Sequence, residues 1–517
     1  MRRRWKKPGA RLLALLVAVA AAASCLPPAP APPPAPVPPP PPGTVAPPLP
    51  LPDWPDAVLY FVIVDRFADG DPNNNFDVQR GEKGTFHGGD LKGLREHLDD
   101  IAALGVNALW ITPVVDNIDH PVTGAGFPDW AYHGYWADDF LSLDRHFGTP
   151  DDLHGLVEDC HRRGMRVLLD VVYNHAGYDS RYAKDPATRG WLRSESAGTC
   201  GQDDVTSCVS GLPDFRTELP EVAKYLLDAQ IGWARKSGVD GFRLDTVKHV
   251  DHPFWQEHRR RTRAEVRDDF FLLGEVWGGD AEVLDPWFAG DELDAGFDFA
   301  FQGNVLAFVQ GRGRAVAFDR YLKSRVAKLR PGYLLSHFLS SHDVPTAMYQ
   351  LGGDRELFRL AAVLQFTSAG IPMVYYGEEV GRRGGDWPEN RSDMPWGDRR
   401  ILPGAGQPRD ERLREDYRRL IAIRRAHPAL SRGAHESVSS EGDLLVFART
   451  DAASGDAVLV AVNRGAQPAT AQVAPLAAWG ASPPRDAWND RDVTAGGASL
   501  ELSIPARGAA IVVAPRR

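Results

Sequence analysis

The 517-residue sequence holds only four cysteines, no nucleophilic Ser or Cys motif and no internal repeat. Its one sustained apolar run, Leu12 to Ala23, is too short to span a bilayer comfortably. Basic charge is not in excess either. The formal net charge of -10 argues against a nucleic-acid partner and suits a neutral substrate. The missing Ser and Cys motifs leave the chemistry to carboxylates, His and Arg. Of the cysteines, Cys160 sits in a helical pattern and reads as a buried free thiol. Cys200 and Cys208 lie close together in a polar, loop-like stretch and are expected to pair outside the cytoplasm.

The fourth, Cys25, closes a leader. Arg2, Arg3, Arg4, Lys6 and Lys7 form a basic start, and the apolar run ends Ala22-Ala23-Ser24-Cys25. Two exits are open. Ala-Ser-Cys resembles a lipobox, which would lipidate Cys25 and tether the chain to a membrane. Cleavage after Ala21-Ala22-Ala23 would instead release a secreted or periplasmic protein. Residues 1–25 are therefore read as a signal peptide and 26–53 as a linker. That linker is almost all Pro, Ala and Val and is expected to be an extended spacer.

From residue 54 onward, apolar runs alternate with helical patterns. Strands are expected at Val58–Val64, Asn107–Thr112, Arg166–Val172, around Gly241–Asp245 and Phe271–Glu275, then Leu293–Phe299, Leu335–Ser340 and Pro372–Tyr376. Helices are expected at Leu91–Leu104, Asp151–Arg163 and Glu221–Lys236. This alternation is the signature of an α/β (β/α)8 TIM barrel, placed at 54–430. A long Gly- and Asp-rich connection, 176–219, reads as an inserted domain after strand three. Beyond residue 430 the pattern changes to short strands, read as a C-terminal antiparallel β-sandwich at 431–517.

Asp245 and Glu275 each close a strand, and His175 and Asp343 follow two others. Acids, His and Arg at the C-terminal ends of parallel strands mark an active site at the top of a barrel. A site of that composition suits glycosidic-bond chemistry, in which one carboxylate attacks and one carboxylic acid protonates, roughly 5–5.5 Å apart in retaining enzymes. Arg243 is two residues before Asp245, so both point to one face, and its charge is expected to keep Asp245 ionised. Glu275 follows an apolar run and precedes Trp277, a setting that raises a carboxyl pKa.

Asp170-Val-Val-Tyr-Asn-His175, Gly241-Phe-Arg-Leu-Asp-Thr-Val-Lys-His249, Gly274-Glu-Val-Trp277 and Phe338-Leu-Ser-Ser-His-Asp343 resemble, in order, the four signature regions of the α-amylase family, glycoside hydrolase family 13. Tyr132-His-Gly-Tyr-Trp136 and Gly211-Leu-Pro-Asp214 match two further patterns. The resemblance covers residue 54 to the C-terminus. It implies Asp245 as nucleophile, Glu275 as general acid/base and Asp343 as the third carboxylate. It implies His175, His342, His133 and Tyr135 around the sugar ring at the cleaved bond, with Asp170 supporting Arg243. Lys248 and His249 resemble an acceptor-side pair. Asp386 and Arg391 resemble a donor-side pair at a spacing that departs from the family's.

Calcium is the implied cofactor, since it takes several oxygen ligands. Asn174, Asp214 and the carbonyl of His249 would hold one ion, with Asp203 or Asp204 as a further ligand. Asp69, Asp71, Asn74, Asn75, Gly88 and Asp90 resemble a second, N-terminal site. The implied activity is an exported, monomeric, endo-acting α-amylase that hydrolyses α-1,4 bonds of α-glucans with retention. The alternative is a cyclomaltodextrinase- or neopullulanase-like hydrolase, or a glucanotransferase. No extra N-terminal domain of the kind those dimeric hydrolases carry is visible, nor room for further C-terminal domains. A glucan-binding protein on an inactive scaffold is a third reading, which the intact set of acids opposes.

Overall fold

The computed structural model describes residues 49–514, except 125, 481, 494, 497 and 498. The leader, Cys25 and the Pro-rich run up to residue 48 lie outside the described residues. Eight strands form the centre: β1 (Leu59–Val62), β2 (Ala108–Ile111), β3 (Arg166–Val171), β4 (Gly241–Leu244), β5 (Phe271–Gly274), β6 (Ala295–Asp298), β7 (Leu334–Phe338) and β8 (Ile371–Tyr375). They close into a barrel in the order β1-β8-β7-β6-β5-β4-β3-β2, with every pairing parallel. All residues of β1 to β5 are buried. Helices cover one face and side chains fill the other, so these strands read as continuous apolar runs.

The helices start and stop where local chemistry tells them to. Pro150–Arg162 opens on a capping box, in which Thr149 Oγ1 accepts from Asp152 N and the Asp152 carboxylate accepts from Thr149 N. Pro220–Ser237 has Pro at its first position and stops at Gly238, φ 80°. The expected single helix from Leu91 to Leu104 is two, Leu91–Glu96 and Leu98–Leu104, broken at His97. Leu91, Leu94, Leu98, Ile101 and Leu104 keep one buried stripe across the break, so periodicity alone does not reveal it. His97 there lies against the Trp396 ring, centroids 4.8 Å apart.

Strand seven ends at Phe338, short of the expected Ser340, so Ser341, His342 and Asp343 lie on a loop. A second difference matters more. The connection after β2, residues 113–149, is an excursion of its own, in which Val115–Asn117 pairs with Ala137–Leu143. Gly134 in it has φ +89°, and a Cβ there would fall 2.2 Å from the Pro113 carbonyl. Only glycine makes this turn, which throws His133 and Tyr135 to the barrel rim. The connection after β3 holds Leu192–Arg193 paired with Asp214–Phe215, and a disulfide joins Cys200 to Cys208.

Past the barrel come β9 (Ala434–Glu441), β10 (Leu444–Asp451), β11 (Asp456–Asn463), β12 (Ala469–Val473), β13 (Ser499–Ile504) and β14 (Gly508–Val513). β9, β10, β11 and β14 belong to one antiparallel sheet, and β12 pairs with β13 in a second. Val446, Leu459, Ala461 and Val512 pack with Leu500, Leu502 and Ile504 between the sheets. Leu445, Phe447, Val458, Val460 and Ile511, on the other face, join the barrel's core. Both faces of β11 are covered, and all eight of its residues are buried.

Candidate active site

Arg243 organises the rim. It stands on β4 in register with Asp170 on β3, fully buried. Its Nη1 lies 2.6 Å from Asp245 Oδ1 and 3.1 Å from Asp170 Oδ1, and its Nη2 lies 3.9 Å from Glu275 Oε2. One guanidinium therefore faces three carboxyl groups. Asp170 is further saturated by Tyr135 Oη at 2.7 Å and Trp110 Nε1 at 3.1 Å. It is a buried fixture with no surface toward a substrate, which is the supporting role read for it in the sequence.

Glu275 is held from the neighbouring strand. Thr246 adopts a left-handed backbone, φ 48°, and its N–H donates to Glu275 Oε2 at 2.8 Å. A non-glycine residue in that region costs energy, and it sits here directly between nucleophile candidate and acid candidate. Burial, with the nearby charges of Asp245 and Asp343, outweighs Arg243 and pushes the Glu275 carboxyl up to about 7. The apolar walls are Trp110, Phe297, Phe299, Phe338 and Met373. Trp277 stands on the opposite side of Glu275, its side chain half exposed and its ring leaning on Phe299.

His342 Nε2 lies 3.1 Å from Asp343 Oδ2, and the His342 ring stacks on Tyr135. His133 accepts the Tyr135 N–H on its Nδ1 at 3.1 Å. Burial lowers the pKa of His133, His175 and His342, which keeps the three imidazoles neutral. His175 Nε2 and His342 Nδ1 are buried without a partner, free hydrogen-bonding groups of the kind a sugar hydroxyl satisfies. Arg391, expected in a donor-side pair with Asp386, is bound to Asp343 and to the backbone beside it. Its Nη2 donates to Asp343 Oδ1 at 3.0 Å and its Nε to the His342 carbonyl at 3.0 Å, while Asn390 Nδ2 donates to that same carbonyl. Asp386 is exposed and does not join it. Because β7 ends early, this clamp is what orients the Asp343 loop. Arg391→Ala is expected to lower kcat/KM about 10²-fold by letting Asp343 drift, checked by steady-state kinetics beside the melting temperature.

On the other side of Glu275, Val209, Thr246, Lys248, His249 and Trp277 line a cavity of about 240 Å³. Lys248 and His249, for which the sequence suggests an acceptor-side role, are both in its wall.

The two calcium candidates present different sets of oxygens. The Asn174 amide lies 3.0 Å from Asp214 Oδ1 and 2.9 Å from the His249 carbonyl. With its oxygen on that side, three acceptors face one another, which a hard cation satisfies. With its NH₂ there, two hydrogen bonds satisfy them without a metal. Arg193, which the sequence reading missed, pairs with Asp214 Oδ2 at 2.7 Å. Asp203 is consumed by its own turn, accepting from Val205 N and Thr206. At the N-terminal candidate, Asn74 Oδ1 and Asn75 Oδ1 are buried and unpartnered. A Cβ on Gly88 would fall 2.2 Å from Asn75 Oδ1, so only glycine fits. Asp90 accepts from Gly70, Asp71, Asn74 and Gly93, Arg80 pairs with Asp69 at 2.8 Å, and Asp71 turns to Asn73. Among the described residues no three carboxylate, His or Cys side chains form a cage, so both candidates rely on amide and carbonyl oxygens.

The family described as "Alpha amylase, catalytic domain" matches residues 61–197 and 202–418. A cyclomaltodextrinase of Geobacillus thermopakistaniensis is 32% identical over 436 residues, covering 80% of this chain and 70% of that protein. Neopullulanase 2 of Thermoactinomyces vulgaris is 33% identical over 425 residues, covering 77% and 68%. The crystal structure of an Anoxybacillus α-amylase matches with a TM-score of 0.77 at 30% identity, covering 90% of this chain and 99% of that one.

Proposed function

Since the chain belongs to the α-amylase catalytic-domain family and is a glycoside hydrolase, we propose that it hydrolyses α-glucosidic bonds in cyclic and short linear α-glucans, as a cyclomaltodextrinase- or neopullulanase-type enzyme. The cyclomaltodextrinase, neopullulanase and maltogenic α-amylase relatives support this over the plain endo-acting α-amylase that the sequence suggested first. That first reading keeps the support of the likeness to the Anoxybacillus α-amylase and to a periplasmic α-amylase of Escherichia coli.

The observation that carries the chemistry is Arg243, which brings Asp245 and Glu275 to one guanidinium from adjacent strands. Two carboxyls gathered on one guanidinium suit a retaining double displacement. Asp245 attacks the anomeric carbon as Glu275 gives its proton to the departing oxygen. Glu275 then takes a proton from the water that frees the sugar. Asp343, His175 and His342 grip the ring hydroxyls as the ring flattens, which lowers the barrier rather than tightening ground-state binding. The test is a time course with β-cyclodextrin, pullulan and soluble starch in parallel. Faster cleavage of β-cyclodextrin or pullulan supports the proposal. Rapid shortening of starch with little attack on the other two would return the assignment to endo-amylase.

Calcium is proposed at Asn174, Asp214 and the His249 carbonyl, and at Asp69, Asp71, Asn74, Asn75, Gly88 and Asp90. When bound it would supply positive charge that ties these loops to the barrel. At a free concentration of 100 Kd such binding stabilises by ~2.7 kcal/mol. EDTA should therefore lower the melting temperature and added CaCl₂ restore it; an unchanged melt would remove calcium from the account. Export is proposed from the basic leader. Mass spectrometry of the mature N-terminus separates a lipid-modified Cys25 from cleavage after Ala23.

A further inference from the structure

The Cys200–Cys208 loop takes no part in the chemistry above, yet it ends against the acceptor-side wall. Inside, its groups are committed to one another. The Asp203 carboxylate accepts from Val205 N, Thr206 N and Thr206 Oγ1, Gly201 N donates to the Thr206 carbonyl, and Ser207 N donates to the Asp203 carbonyl. Outward it presents Asp204. The Asp204 carbonyl receives the His249 Nδ1 hydrogen bond at 2.7 Å, and the Asp204 carboxylate lies 3.8 Å from Lys248 Nζ. Val209, the residue after Cys208, lines the 240 Å³ cavity beside Glu275 together with Lys248, His249 and Trp277.

We propose that this disulfide-closed loop determines how the enzyme uses the sugar on the acceptor side of the cleaved bond. The backbone carbonyl of Asp204 fixes the His249 ring, and Val209 sets the depth of the cavity. The Lys248–Asp204 pair is exposed and long, so it is too weak to hold the loop alone. The covalent link between Cys200 and Cys208 is what restricts the loop to this position. Donor-side groups are untouched by it: Asp245, Arg243, His175, His133 and Asp343 all stand on other segments. The inference rests on the glycosidase reading above and deepens it, by assigning acceptor use to a segment outside the barrel.

The test compares wild type with the double variant Cys200→Ser/Cys208→Ser on two substrates. α-Maltosyl fluoride needs no acceptor-side sugar, because fluoride is the leaving group; maltohexaose needs one. Expected is an unchanged kcat/KM for the fluoride, and a loss of about tenfold for maltohexaose carried mainly by KM, the size expected when two side chains must be re-ordered on binding. Transfer to added maltose should fall with it. Wild type reduced with dithiothreitol, with reduction followed by thiol titration, should show the same split, which covers the case of a double variant that folds poorly. Equal losses on both substrates, or no loss on either, would overturn the proposal. If wild type itself turned over neither substrate, the glycosidase reading would fail instead, a distinct outcome.

Discussion

Asp245→Asn is expected to lower kcat on every α-glucan substrate by on the order of 10⁴-fold, while the melting temperature stays close to that of wild type. An amide has no charge with which to trap the anomeric carbon, so no covalent intermediate forms. The fold should tolerate the change because the amide oxygen can still accept from Arg243, and Arg243 remains paired with Asp170. Single-turnover experiments with α-maltosyl fluoride make the check sharp. Wild type should release a burst of fluoride and the variant none. Retention of more than a hundredth of wild-type turnover would mean that another group attacks and that Asp245 has been misassigned.

Glu275→Gln carries the second large effect, and its signature is a pattern. Removing a general acid typically costs 10²- to 10⁴-fold. The loss should be near the upper end for cyclodextrin and maltohexaose, whose departing alkoxide needs a proton. It should be much smaller for the cleavage step of α-maltosyl fluoride. The pH dependence has a definite sign. Burial lifts the Glu275 carboxyl to about 7, so the proton donor is present below that pH and lost above it. Wild-type kcat/KM should therefore decline as pH rises through about 7, and Glu275→Gln should lose that alkaline limb. An alkaline limb that survives in the variant would place the titrating group elsewhere.

Much of this molecule is legible in its sequence because its signals are local. Parallel buried strands show as unbroken apolar runs, so all eight barrel strands are legible, their ends shifted by at most two residues. Asp245 and Glu275 follow their strands directly, and Arg243 shares a face with Asp245, so strand geometry sufficed for them. What was not legible depends on loops that meet in space. The excursion 113–149 is hidden in the sequence because its strands are short and its apolar residues lack a period. Only Tyr132-His-Gly-Tyr-Trp136 gave it away. Arg391 on Asp343, Arg193 on Asp214 and Thr246 on Glu275 join residues 48, 21 and 29 positions apart. No single-sequence pattern encodes such pairings. The break at His97 was hidden because both halves of that helix bury the same stripe.

The sharing of Arg243 among carboxyl groups has a consequence in time as well as in space. While Asp245 is a free carboxylate, its charge is one of the influences that hold the proton on Glu275. In the proposed double displacement Asp245 becomes esterified to the sugar and that negative charge is gone, while the guanidinium, 3.9 Å from Glu275 in the free enzyme, keeps its charge. The proton affinity of Glu275 must then drop, at the stage where it has handed its proton to the leaving sugar and has to receive one from water. The covalent state of one acid resets the other, so no conformational change is needed to turn the donor into an acceptor between the two half-reactions.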